Sequence, residues 1–183
     1  GKIIYTQFLN SRGGIEADLT ISRTGEEEFY IVTGSAFGVH DRSWIEKHSP
    51  RDGSVVIDDL TEEFGVINLC GPHARDVLQN VTDDDISNET LPFSSYADIR
   101  VAGHPVRAMR IGYVGELGWE MHMGRKNMPA VYRALAEAGS KYDIADAGYR
   151  AIDSLRMEKG YLYWSSDISP DYNPFEAGLG FRL

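Results

Sequence analysis

Residues 15–22 alternate without a break: Ile15, Ala17, Leu19 and Ile21 fall on one side, Glu16, Asp18, Thr20 and Ser22 on the other. A period of two is the signature of a β-strand with one buried and one polar face, and a slip of one residue would exchange the two faces. A strand of this kind needs a neighbour. Phe29 to Thr33 supplies one after the turn marked by Gly25 and the Glu26 to Glu28 run, so the two are expected to form a β-hairpin. One apolar and one polar face is the pattern of antiparallel sheets, because parallel sheets are covered on both sides.

The remaining segments extend this reading. A helix is expected from Ser35 to His48, carrying Phe37, Val39, Trp44 and Ile45 and ended by Pro50 and Gly53. Ser54 to Asp58 and Gly65 to Cys70 are rich in Val and Ile and read as strands, and Gly71-Pro72 opens the amphipathic stretch HARDVLQNV. An acidic loop at Asp83 to Asp85 leads through Pro92 to strands at Tyr96 to Val101 and Val106 to Ile111, joined by a Gly103-His104-Pro105 turn. In a third strand Trp119, Met121 and Met123 alternate with Glu120 and His122, and helices follow over Pro129 to Ala138 and Ala147 to Lys159. Strand pairs alternating with single helices predict an α+β fold of antiparallel sheets with helices on one face. A strand-pair, helix, strand cadence that occurs twice points to a duplicated ferredoxin-like arrangement. No stretch has linker composition, so residues 1–183 are expected to form one domain.

Composition narrows the function. A net charge of -10, with Lys and Arg dispersed among the acids, argues against a nucleic-acid surface. No apolar run reaches the roughly 20 residues of a membrane-spanning helix, and the first residues do not read as a signal peptide. The single cysteine, Cys70, allows no internal disulfide and no Cys-pair zinc site. A reducing compartment follows, the cytoplasm by expectation, with the mitochondrial matrix as the alternative. The sequons at Asn80 and Asn88 are then chance matches. His40, His48, His73, His104 and His122 lack metal-ligand spacing, so no metal is expected. Dinucleotide, phosphate-loop, zinc-protease and serine-hydrolase motifs are all missing. With no initiator Met and an end at GLGFRL, the sequence reads as a piece of something longer.

Three strings carry chemistry. In RGGIEADLTISR, Gly13 and Gly14 permit unusual backbone angles and close approach of a ligand, and Asp18 follows on the polar face; on pattern alone a solvated Asp beside a turn is the better reading. In GYVGELGWE, Gly112 to Glu120, three glycines interrupt a strand between Tyr113 and Glu120. That pattern suits either a bulged hairpin or a site in which a tyrosine stacks on a flat heterocycle and a carboxylate accepts its N–H groups. In YRAIDSLRMEKGY, Ile152 and Leu155 share a stripe and Arg150 can reach Asp153 or Ser154, as an ordinary helix-surface pair would.

These strings, with LCGPHARDVL between them and NPFEAGLGF after them, resemble the folate-binding region of the glycine-cleavage T-protein family. That family joins the aminomethyltransferase to the C-terminal modules of dimethylglycine and sarcosine dehydrogenases. VTGSAFGVHDRSWI and SLRMEKGY are more similar to the dehydrogenase branch. The resemblance implies that Asp18 is the catalytic aspartate near N10 of tetrahydrofolate, that Tyr30 lines the folate pocket, and that Tyr113 and Glu120 hold the pterin. It leaves Gly34 where the glycine-cleavage enzyme has asparagine, and Ile152 where it has a helix arginine, with Arg150 as a displaced substitute. Arg150 or Arg110 would meet the anionic folate tail. The implied reaction is transfer of an imine- or formaldehyde-derived one-carbon unit to tetrahydrofolate, giving 5,10-methylenetetrahydrofolate, with FAD carried only by an adjoining flavin domain or subunit. Asp18 would take or orient the N10 proton, its charge favouring the iminium at N5. A glycine-cleavage aminomethyltransferase and a non-catalytic regulatory module of the same fold are the alternatives.

Overall fold

The computed structural model describes residues 1–182. They divide into two compact units, one of Ile3–Leu60 with the stretch from Leu162 onward, the other of Gly1–Lys2 with Thr61–Tyr161.

In the first unit, β1 (Ile3–Leu9), β2 (Ile15–Arg23) and β3 (Phe29–Thr33) form an antiparallel sheet in that order. Its central strand is the one the alternation predicts: Ile15, Ala17 and Leu19 are buried. Ile15 packs with Ile168 and Leu179, flanked by Leu162 and Trp164 from the end of the chain. The same segment holds the strand's first residue through its backbone. Trp164 Nε1 donates to the Ile15 carbonyl at 3.0 Å, and the Ile15 amide donates to the Tyr172 carbonyl at 3.0 Å. A Cβ at Gly14 would collide with the Pro170 carbonyl, so what approaches this glycine closely is the chain itself.

Helix α1 (Gly38–His48) follows a single 3₁₀ turn at Ser35–Phe37. Asp41 is its one buried residue, and Val39, expected on an apolar face, is 86% exposed. The strand expected at Ser54 to Asp58 is not formed: the segment has no pairing partner, and Val55 and Val56 stand exposed. Val-rich sequence makes a strand only where a sheet edge and an apolar surface receive it.

In the second unit, β4 (Phe64–Cys70), α2 (Ala74–Gln79), β5 (Tyr96–Val101), β6 (His104–Met109), β7 (Gly118–Gly124), α3 (Met128–Gly139) and α4 (Tyr149–Glu158) follow one another. The sheet is antiparallel throughout, ordered β4-β7-β6-β5. Leu69, Trp119, Met121, Met123, Val106 and Ala108 bury one face against Ala74, Val77 and Leu78 of α2 and Val131 and Leu135 of α3. The α+β arrangement of antiparallel sheets with helices is therefore the one observed. The two units differ in element order, strand-strand-strand-helix against strand-helix-strand-strand-strand-helix-helix.

The β5–β6 connection is shorter than expected. Val101 pairs with His104, leaving Ala102 (φ 48°) and Gly103 (φ 80°) as a two-residue turn, and Pro105 lies inside β6. Paired positive φ values match the twist of a hairpin. Pro105 is tolerated because β6 meets β7 only from Arg107 to Met109, so no second ladder requires its missing N–H.

Candidate functional site

Asp18 lies on β2 opposite Gln7 of β1, and Tyr5 lies opposite Thr20. Gln7 Nε2 donates to Asp18 Oδ1 at 2.9 Å, and Tyr5 also hydrogen-bonds the Asp18 carboxyl. Burial pushes that carboxyl above its ordinary value, the nearby Asp41 charge adds to the push, and the Gln7 and Tyr5 bonds offset part of it. Asp41 itself is buried on α1, where it accepts from the Thr33 hydroxyl and meets His40 Nδ1 at 2.9 Å. The other ring nitrogen of His40 is 3.6 Å from Glu16 Oε2.

A second observation falls on the same face. Gln7 Oε1, Thr20 Oγ1 and Ser22 Oγ are buried and have no hydrogen-bond partner in the structure. The register and the strand period put all three on the face that carries Asp18. These oxygens are sealed from solvent, so they lie beneath the surface of that face. Tyr30 shares this face too, but it stands opposite Ser22, four residues along from Asp18 or about 13 Å at strand rise. The sheet thus unites the two residues on one surface without making them neighbours.

In the second unit Glu120 sits in β7 between Asn68 of β4 and Met109 of β6. Its carboxylate is partly exposed and lies 3.6 Å from Nε2 of the buried His122, beyond hydrogen-bond length. Tyr113 lies in the irregular bend before β7, its ring near-parallel to that of Tyr161, with centroids 6.1 Å apart and planes at 21°. The glycines of the bend have separate reasons. Gly115 has φ +72° and lies under the Lys159 side chain, and a Cβ at Gly118 would meet the Leu69 carbonyl of β4. Gly112 faces open space.

The arginines sort differently from the sequence expectation. Arg150 is exposed in the first turn of α4 and makes no ion pair or hydrogen bond among the described residues. The Asp153 carboxylate goes instead to Arg156, at 2.7 Å, because Arg156 is buried and needs an internal partner. Sequence reasoning missed Arg156, although its i, i+3 spacing from Asp153 was there to be read. Arg110 Nη1 donates to Asn88 Oδ1 at 2.8 Å and to the Leu91 carbonyl at 2.9 Å, so it ties down the loop before β5. Asn88 accepts from Arg75 as well, so its carboxamide is spoken for.

Antiparallel sheets packed with helices define an α+β module. Comparison with known proteins specifies it: the chain belongs to the GCVT N-terminal domain family, whose model matches residues 1–183. It is 43% identical to the mitochondrial sarcosine dehydrogenase of Mus musculus, over 99% of the chain and 21% of that protein. It is 40% identical to the mitochondrial dimethylglycine dehydrogenase of the same organism, over 96% of the chain and 20% of that protein. The crystal structure of glycine cleavage system aminomethyltransferase T from Bartonella henselae superposes with a TM-score of 0.81 at 26% identity, covering 100% of this chain and 47% of that one. The chain therefore spans about a fifth of the curated dehydrogenases that it matches. Among the described residues no helix is long and apolar enough to cross a membrane.

Proposed function

We propose that residues 1–183 act as a single tetrahydrofolate-binding domain of a dimethylglycine or sarcosine dehydrogenase-like enzyme, working in the mitochondrial matrix beside a flavin domain or subunit. The observation that carries this reading is Asp18, a carboxyl of raised proton affinity held on the polar face of β2 by hydrogen bonds from Gln7 and Tyr5. Family membership across the entire chain, and the dehydrogenase relatives, supply the rest.

Bound tetrahydrofolate would supply two nitrogens that accept a one-carbon unit from an imine or formaldehyde equivalent. The chain's own residues do the remaining work. Asp18 keeps its proton to higher pH than an ordinary carboxyl does, and in its charged form it stabilises positive charge that develops beside it. Glu120, on a strand held on both sides, offers a fixed acceptor for paired N–H groups. Tyr113 provides a ring face for stacking, and Tyr30 lines the far end of the Asp18 surface. Arg150, without an internal partner among the described residues, is the cation available to the carboxylates of the folate tail.

Calorimetric titration of the chain with tetrahydrofolate tests the reading. Saturable 1:1 binding in the range from about 1 μM to 1 mM is expected, the range typical of enzyme substrates. Absence of saturable binding by the folded chain contradicts it.

A further inference from the structure

The end of α4 meets the glycine-rich bend at two places, and together they form a brace. Arg156 is buried, at 6% exposure, on a helix that is otherwise exposed or half-buried. Its guanidinium donates to Asp153 Oδ1 at 2.7 Å and to the Tyr161 carbonyl at 2.8 Å, while the Tyr161 amide donates back to the Arg156 carbonyl at 3.0 Å. Bonds to both the amide and the carbonyl of Tyr161 fix where the chain leaves the helix, and with it the place from which the Tyr161 side chain projects. That ring lies along Tyr113 with planes 21° apart. Two residues earlier, the Lys159 side chain covers Gly115, the residue of the bend whose φ of +72° favours glycine.

We propose that Arg156 and Tyr161 are positioning residues for Tyr113: the arginine sets the Tyr161 peptide, Tyr161 holds the Tyr113 ring by stacking, and Lys159 presses on the bend between them. Tyr113 sits in the bend before β7, outside any strand or helix. An aromatic side chain in a loop loses rotamer freedom when it binds a flat ligand, and a stacked neighbour that has already restricted it reduces that loss. The inference rests on the folate reading of Tyr113 given above and adds to it the means by which the ring is held.

The test is a double-mutant cycle on the 183-residue chain, with tetrahydrofolate affinity measured by calorimetry. Y161A is expected to weaken binding about 3- to 10-fold, the range an aromatic pair contributes, with Y161F close to wild type because stacking needs no hydroxyl. In a Y113A background the further change Y161A should have no effect, since the brace then holds nothing. Arg156→Met should reproduce the Y161A loss; because a buried arginine also supports the fold, thermal melting accompanies each variant, and Tyr161 alone decides the question if R156M unfolds. A readout independent of ligand is the ring proton signal of Tyr113, which should lose its stacking shift in Y161A. Wild-type affinity in Y161A overturns the brace and leaves the folate reading intact, as do fully additive losses in the double mutant, which would make Tyr161 a contact in its own right. A folded wild-type chain that binds no tetrahydrofolate removes the folate reading, and the brace with it.

Discussion

Burial around Asp18 raises its proton affinity in the folded chain, which sets the direction of two effects. A carboxyl whose folded value lies above 3.8 contributes stability that is complete below that value and is lost as pH rises through the raised one. Above the raised value the chain therefore carries the cost of a buried charge. D18N should melt higher than wild type at pH 7, by roughly 2–4 °C for each kcal/mol relieved in a chain of this size, with the gain vanishing toward pH 3. Differential scanning at both pH values checks it, and a D18N protein that melts lower at pH 7 would show the carboxylate to be stabilising. In an assay of one-carbon transfer by the intact enzyme, the same substitution should leave tetrahydrofolate binding within about threefold while lowering turnover on the order of 10²-fold, the size of a general acid–base contribution. Of the residues singled out from sequence, Asp18 had its face fixed by strand alternation, while its role came only from the family resemblance. Arg156 was not, because burial of a charged helix residue depends on what packs over it, and no pattern within ten residues reveals that. Arg150 was assigned the ion pair that Arg156 makes, since spacing alone allows both.

At the level of elements, period and turn chemistry were enough wherever a segment has a partner nearby in sequence. The β2–β3 hairpin and the β7 alternation of Trp119, Met121 and Met123 are of this kind. The failures share a cause. Val55 and Val56 look like strand residues but meet no sheet edge, and α1 has apolar residues at helical spacing yet buries only Asp41. The Ala102-Gly103 turn shows how a boundary is missed: the glycine was recognised, but Ala102 takes a positive φ that its sequence does not advertise. That conformation costs an alanine about 1–2 kcal/mol. Ala102→Asn, which creates the Asn-Gly pair favoured in such turns, should raise stability by about 0.5–1 kcal/mol in urea titration with the m-value unchanged. A neutral or destabilising result would place the turn in another geometry. Within the core of the second unit, Leu135→Ala on α3 should cost about 2–5 kcal/mol in the same experiment.

For the molecule as a whole, the sequence predicted an α+β fold of antiparallel sheets, and the family match over residues 1–183 agrees with it. Its division into two compact units was not legible, because part of one unit is supplied by the stretch from Leu162 onward, more than a hundred residues from β3. Chain segments that return over such distances leave no local mark in composition. Of the residues proposed to act, Asp18 and Tyr30 belong to one unit and Tyr113, Glu120 and Arg150 to the other, and each unit is tested by its own substitutions. Arg150→Ala should weaken a folate with several glutamates more than one with a single glutamate, by about 3-fold or more, because each added carboxylate draws on the same cation. Equal losses for both ligands would remove Arg150 from the tail site. The most direct measurement is tetrahydrofolate affinity of Glu120→Gln by calorimetry, with melting as a control for folding. The account predicts at least a tenfold loss, since a charged acceptor of paired hydrogen bonds becomes a neutral group with one acceptor and one donor. A folded E120Q chain that binds tetrahydrofolate as tightly as wild type would contradict it.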